Sequence, residues 1–294
     1  MSSGVTTGPP DPPQAEHDGI SLRQQARTRY RRNQSVRRGV LAAGSTLAVL
    51  GLLVAAVLAS PGWDSVRTTY LDPSAAREAL PLVASAFVTN VKLFCIIEVL
   101  VLALGLLVAV VRVVPAPAMA PLKLLAVTYT DLFRGTPTLL VVLLVCFGLP
   151  ALGLQGVPTD VFWLAVIALT LSYGAYVAEV IRAGIASVHP SQWASGRSLG
   201  LSYTQTLRTV VLPQALRRVV PPLLNDFVSL QKDTALVSVA GVVDAVRQAQ
   251  VLTSASFNFT PYVVAAAFFI ALTVPLARFT DWLALRQQRR QAGA

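Results

Sequence analysis

Histidine is scarce in this 294-residue chain, which holds only His17 and His189. A serine hydrolase built on a G-x-S-x-G elbow needs a histidine after the nucleophile and a buried strand before it. The literal match at Gly196-Arg197-Ser198-Leu199-Gly200 has neither, because no histidine follows it and the preceding residues His189 to Ser195 are polar and proline-started. Lysine is almost as rare. Lys92, Lys123 and Lys232 follow Val, Leu and Gln, so none completes a G-x-x-x-x-G-K-[ST] loop and ATP is not bound by that route. No H-E-x-x-H or C-x-x-C occurs, which leaves metal catalysis and thiol redox chemistry without visible ligands. The two cysteines, Cys95 and Cys146, lie inside apolar stretches and read as small buried hydrophobes, with no disulfide framework.

Charge is the largest deficit. Only 13% of residues are charged and 54% are hydrophobic, against roughly 25% charge in a soluble domain, and the mean hydropathy is +0.61. These values exclude a compact water-soluble fold. What the chain has instead is a series of apolar runs of 16 to 22 residues, each near the ~20 that cross a ~30 Å hydrocarbon core as a helix. The fold class is therefore an all-α, polytopic helical membrane protein of about six transmembrane helices. The formal net charge of +10 does not point to nucleic acid, since the basic residues flank apolar runs and belong to no amphipathic domain.

Residues 1 to 22 are rich in Pro, Gly and Ser and read as disordered. Seven arginines between Arg23 and Arg38 then precede the uncharged run Gly39 to Ser60, the pattern of a cytoplasmic anchor before a first span. A cleavable signal or a twin-arginine signal at Arg37-Arg38 would carry a shorter apolar core. Further spans are expected at about 92–111, 137–153, 161–183, 221–243 and 262–277. With the N-terminus inside, 19 of the 24 Lys and Arg fall on the cytoplasmic side. Arg67, Arg77, Lys92 and Arg247 fall outside, and Lys232 sits within a span. That bias orients both termini to the cytoplasm. Residues 63–80 are polar enough to remain outside, residues 81–91 form an interfacial helix before the second span, and no repeat with a period of ~20 to 50 residues is visible.

The loop from His189 to Pro222 is the longest. Pro190 opens a helix that stops at Gly200, where a left-handed turn is easy for glycine. Ser202-Tyr203-Thr204-Gln205 fits a capping box and starts a second short helix that carries Leu207, Val210 and Val211 and ends before Pro213. A DNA-reading helix-turn-helix would need a soluble module, whereas this one lies between two spans. It reads as a docking surface for a cytoplasmic partner.

Charges at membrane depth cost roughly 2.5 to 3.5 kcal/mol each on insertion scales. Glu179 and Arg182 are spaced to pair on one helical face, as a structural ion pair or as a gate. Lys232, Asp233 and Thr234 interrupt an apolar segment, so that span is either broken or lines a polar path. Asn225 and Asp226 sit nearer the cytoplasm and read as caps of that span. Glu98 contacts a cationic substrate or pairs with a neighbouring helix. Arg134-Gly135-Thr136-Pro137 opens the third span as a candidate hinge.

The run Ser191 to Gly200, followed after nine residues by Val210-Val211-Leu212-Pro213, resembles the EAA loop of permease subunits of ABC importers. The polar amino-acid uptake branch, with its histidine, glutamine and glutamate permeases, is the most similar. Leu132 to Pro137, Ala175 to Arg182, Asn225 to Leu230 and Lys232 to Leu236 fit that branch in the same order. The resemblance spans residues 81 to 285. One departure stands out: Ala194 occupies the position of the motif's usual Glu, a change that bears on how strongly the subunit couples.

The resemblance implies a chain that forms the translocation pathway and hydrolyses no ATP itself. It implies no cofactor or metal on this chain, with ATP and Mg on a partner ATPase. Expected partners are a cytoplasmic ABC ATPase, a second permease chain as homodimer or heterodimer, an extracytoplasmic substrate-binding protein and the lipid bilayer, with no nucleic acid. The expected location is the plasma (inner) membrane. Gln192, Gly196, Leu199, Gly200, Val210, Leu212 and Pro213 would form the coupling loop. Arg134, Gly135, Thr136, Pro137, Tyr176, Glu179, Arg182, Asn225, Lys232, Asp233 and Thr234 would line or gate the path. The implied organisation is a disordered cytoplasmic tail (1–38), a first transmembrane helix (39–60), an extracytoplasmic loop and interfacial segment (61–91), a permease core (92–285) containing the coupling loop (189–222), and a cytoplasmic C-terminal tail (286–294). A secondary transporter or channel would account for the spans without an ATPase, but such proteins often show repeated halves. A membrane serine hydrolase fails on the missing histidine.

Overall fold

The computed structural model describes residues 22–153, 155–156 and 158–292. All regular structure among them is helical. The elements are α1 (Leu22–Leu58), α2 (Trp63–Tyr70), α3 (Pro73–Val113), α4 (Ala120–Gly135), α5 (Thr138–Leu143), α6 (Leu149–Ala151), α7 (Val161–Ala186), α8 (Pro190–Ser198), α9 (Tyr203–Thr206), α10 (Leu212–Asp233), α11 (Ala245–Ser256) and α12 (Thr260–Ala292). A 3-10 turn precedes α4, π turns join α5 to α6 and α9 to α10, and a 3-10 segment, Thr234–Ala240, follows α10.

Residues up to Asp64 and those from Ser65 form two separate units. In the first, the apolar window Val40–Leu58 of α1 contains no buried residue, as a lipid-facing span would. The expected tail of residues 1–21 lies outside the described residues. From Leu22 onward the arginine-rich stretch is helical and continuous with the span, which corrects the expectation of unstructured chain up to residue 38.

In the second unit α7 is the central helix, packed by α3, α4, α5 and α10. Its Leu164, Ala168, Leu169, Tyr173 and Val177 meet Leu93, Ile97 and Val101 of α3, with Val141, Val142, Leu230 and Val237 completing the core. Three spans, Trp63–Val113, Val161–Ala186 and Thr260–Arg286, are long and apolar enough to cross a membrane alone. Two bent pairs, 117–135 with 138–151 and 203–240 with 245–256, bring the total with α1 from four to as many as six.

Four boundaries differ from the sequence expectation. Residues 63–91 are no loop with a separate interfacial helix: Asp72 caps Ser74 and α3 then runs 41 residues straight through Pro81. The bond that proline loses is outweighed by packing of Ala79 and Val83 on Ala245, Ala249 and Ala265. Residues 120–135, expected in a cytoplasmic loop, are helical and meet 138–151 at 107°. The helix after Ser202 does not end before Pro213. A π turn over Leu207–Val211, in which the Leu212 N–H donates to the Leu207 carbonyl, carries the chain into α10 and accommodates the proline. No span therefore begins at Pro221, and Asn225 and Asp226 sit inside α10 instead of capping it.

Candidate coupling loop and translocation elements

The loop 189–213 is held by its own polar groups. The His189 side chain accepts from the Ser191 N–H at the start of α8. At the other end Gly200 adopts φ +80°, its N–H donates to the Arg197 carbonyl, and the Leu201 N–H donates to the Gly196 carbonyl. This is the left-handed helix stop foreseen for glycine. Ser202 and Gln205 close a reciprocal capping box around the start of α9, also as expected. Gly196 is buried against Thr206, and a Cβ there would stand 2.5 Å from the threonine methyl. α8 and α9 therefore interlock through a contact that only glycine permits.

The hairpin is also fixed to the spans. Val188, Val211 and Ala215 form a small core with Ile185, Trp193 and Leu207. Trp193 stacks on Tyr203 at 5.0 Å, Gln214 donates to Gln192 at 3.2 Å, and Arg218 donates to the Ser187 carbonyl. Leu199 at the tip is 80% exposed. Leu212 and Pro213 are exposed and Val210 is half-buried. A large apolar side chain thus stands on a rigid hairpin tied to α7 and α10.

At the same end of α7 lies an ion cluster. Glu179 accepts from Arg182 at 2.5 and 3.0 Å, the pairing that the spacing predicts. Arg112 from the last turn of α3 donates to the same carboxylate at 2.8 Å and to Thr130 of α4 at 3.1 Å. Arg134 approaches to 4.0 Å, and its carbonyl accepts from Tyr176 at 3.4 Å. Four predicted residues, Arg134, Tyr176, Glu179 and Arg182, are brought together. Arg112, read in the sequence only as an orientation charge, is the addition. The neighbouring Gly135-Thr136-Pro137 breaks the chain between α4 and α5: Thr136 turns extended, with its hydroxyl donating to the Leu132 carbonyl.

A third group lies where α10 stops. The α-helix ends at Asp233 and tightens into the 3-10 segment, so the span is broken at Lys232-Asp233-Thr234. Tyr173 of α7 donates to Asp233 at 2.7 Å. Thr234 is buried, donating to the Gln231 carbonyl and accepting from Asn90, while Lys232 is exposed. Asn90 also donates to Asp244 at 2.9 Å and accepts from the Ala245 N–H. Asp244, fully buried, caps α11 by accepting from the Arg247 N–H. Sequence reasoning missed Tyr173, Asn90 and Asp244, although an Asp directly before the Ala245 helix was a readable N-cap. Asn225 does not join this group. It lines a small cleft of about 120 Å³ against Ala277, Thr280 and Asp281 of α12. Glu98 of α3 lies one turn from Phe94, which packs edge to face on Phe227 of α10, the residue after Asp226.

Among the described residues the second unit combines an all-helical core, a broken span, an ion cluster where α3, α4 and α7 meet, and a hairpin between two spans, features that suit a transport permease. The family described as binding-protein-dependent transport system inner membrane component matches residues 101–289, and the chain belongs to it: it is a permease subunit of the ABC-importer class, a multi-pass inner membrane protein. It is similar to the arginine transport system permease protein ArtQ of Bacillus subtilis (strain 168), 33% identical over 70% of this chain and 92% of that protein. It is also similar to the probable amino-acid ABC transporter permease protein PatM of Vibrio harveyi, 36% identical over 70% of this chain and 91% of that protein. Among solved structures, an amino acid ABC transporter crystallised with histidines matches with a TM-score of 0.63 and 34% identity over 70% of this chain and 94% of that one. The MetNI methionine ABC transporter in an inward-facing conformation shares the fold at a TM-score of 0.58 and 16% identity.

Proposed function

We propose that this permease carries a polar amino acid inward, with ATP and Mg bound and ATP split on a separate cytoplasmic ATPase. A second permease chain completes the path and an extracytoplasmic binding protein delivers the solute. Both termini face the cytoplasm. The amino-acid class is supported by the relatives named for arginine and amino-acid transport, and the orientation by the excess of Lys and Arg around the α8–α9 loop and both tails.

The observation that carries the reading is the exposed Leu199 on a hairpin locked to α7 and α10. A partner that grips such a tip moves two spans together, and a nucleotide that binds one packed state of that partner more tightly than the other shifts the permease between states. Gln192, Gly196 and Gly200 set the shape of the lever, while Val210, Leu212 and Pro213 join it to α10. Arg112, Arg134, Glu179 and Arg182 tie the inner ends of α3, α4 and α7 into one unit. Tyr173, Asp233 and Thr234 mark where the path would cross the broken span. Ala194, exposed on α8, offers the partner no carboxylate. A second permease chain with a Glu at this position would supply the missing contact.

The test is a gentle-detergent purification of the tagged chain from its own cells, with mass spectrometry of what accompanies it. A P-loop ATPase in stoichiometric amount supports the reading, and the presence or absence of a second permease distinguishes heterodimer from homodimer. A stable, monodisperse chain recovered alone would contradict it.

A further inference from the structure

Where α3, α7 and α8 converge, a cleft of about 400 Å³ is lined by Arg112, Val113, Arg182, Ile185, Ala186, Val188, Pro190 and Trp193. Val113 and Ala186 are the last residues of two spanning helices, so the cleft sits at the boundary between hydrocarbon and water whichever side it faces. Its walls are fixed: Trp193 stacks on Tyr203, and the Tyr203 hydroxyl donates to the Val113 carbonyl at 3.4 Å.

The charge of the cleft is unbalanced. Arg112 and Arg182 both line it and both use Glu179 as counter-ion, leaving one positive charge in excess before Arg134 is considered. Their donors are not exhausted. Among the described residues Arg112 donates through Nη1 alone and Arg182 through Nε and Nη2, which leaves N–H groups on both guanidinium forks. Guanidinium groups favour planar, multidentate contact with phosphate oxygens. Apolar walls beside two such groups at a membrane boundary suit a phosphodiester joined to acyl chains.

We propose that this cleft binds a phosphate group, either the headgroup of an anionic phospholipid or a free phosphate, held by Arg112 and Arg182 with Ala186 and Trp193 at its wall. The site shares Arg182 with the residues expected to line or gate the path and does not depend on which amino acid is carried. An anion there draws on the same two arginines that hold Glu179, so its occupancy bears on how firmly α3 and α7 are joined beside the α8 hairpin.

Trp193 is a built-in reporter. The full chain, with Trp63, Trp163 and Trp282 replaced by Phe, is placed in nanodiscs containing phosphatidylglycerol or phosphatidylcholine brominated near the glycerol. The expected result is stronger quenching of Trp193 by the brominated phosphatidylglycerol. Ala186→Phe, which fills the cleft while keeping Arg112, Glu179 and Arg182 in the chain, removes the difference between the lipids. Arg182→Gln weakens the preference about fivefold, the factor set by one basic residue at an anionic surface. In unbrominated phosphatidylcholine discs, a saturable change of Trp193 emission on adding inorganic phosphate, without lipid-selective quenching, identifies the free anion as the ligand. Equal quenching by both lipids together with no response to phosphate overturns the proposal, as does a lipid preference that survives unchanged in Ala186→Phe.

Discussion

Arg112 and Glu179 lie 67 residues apart in sequence and 2.8 Å apart in space, joining the end of α3 to the end of α7. Three arginines converge on this one carboxylate, whose side chain is 19% exposed. Removing one partner of a mostly buried ion pair leaves the rest uncompensated, which costs about 3 to 5 kcal/mol. Glu179→Gln is therefore expected to lower the melting temperature of the purified chain markedly. In the double variant with Arg112→Gln the loss falls well short of the sum of the two single losses, because both act on one interaction.

Tyr173 and Asp233 predict a contrast on α10. A hydrogen bond to an ionised group contributes about 1.5 to 3 kcal/mol, so Tyr173→Phe destabilises by about that amount. Asp226 has a buried carboxylate oxygen that meets no hydrogen-bond partner among the described residues, so Asp226→Asn leaves stability unchanged or raises it. Thermal melts in one detergent compare the two. In an uptake assay Asp233→Ala and Lys232→Ala impair transport more than Asp226→Ala, and equal effects would remove the case for a path at the broken span.

Gly196 and Thr206 give a cycle that isolates one contact. The added methyl of Gly196→Ala overlaps the threonine side chain, and overpacking of this kind costs about 1 to 3 kcal/mol. Thr206 is buried with its hydroxyl unpartnered among the described residues, so Thr206→Ala is nearly neutral alone and restores Gly196→Ala in combination. A melt of all four proteins checks the pattern.

Gly200 has a separate cost. A side chain at φ +80° is strained by about 1 to 2 kcal/mol, so Gly200→Val loosens the tip of the hairpin and lowers coupled ATPase activity more than it lowers stability. A variant with full coupling at reduced stability would show that the turn geometry is not part of the lever.

Local signals made part of this architecture legible. The glycine stop at Gly200, the Ser202 and Gln205 box and the Glu179–Arg182 spacing all depend on residues within five positions of each other, and all three were readable. Lys232-Asp233-Thr234 stood out because charges in an apolar run are costly wherever they fall, but the sequence left a broken span and a polar path as alternatives, and only the end of α10 at Asp233 shows the break. Contacts across the sequence were not readable: Asn90 meets Asp244, and Arg112 meets Glu179, only after α3, α7 and α11 have packed. The prolines misled in one direction. Pro81 and Pro213 each suggested a boundary, yet tertiary packing carries α3 through the first and a π turn carries the chain through the second, because a lost hydrogen bond is small beside the burial of a helix face.

The measurement that tests the account most directly is uptake of radiolabelled amino acid by proteoliposomes containing the assembled importer and its binding protein, with Leu199→Asp compared to the unmodified chain. The account predicts uptake that requires ATP inside the vesicle. It also predicts that Leu199→Asp abolishes that uptake while the chain still inserts and melts normally. Full uptake by Leu199→Asp, or uptake driven by an ion gradient with no need for ATP, would contradict it.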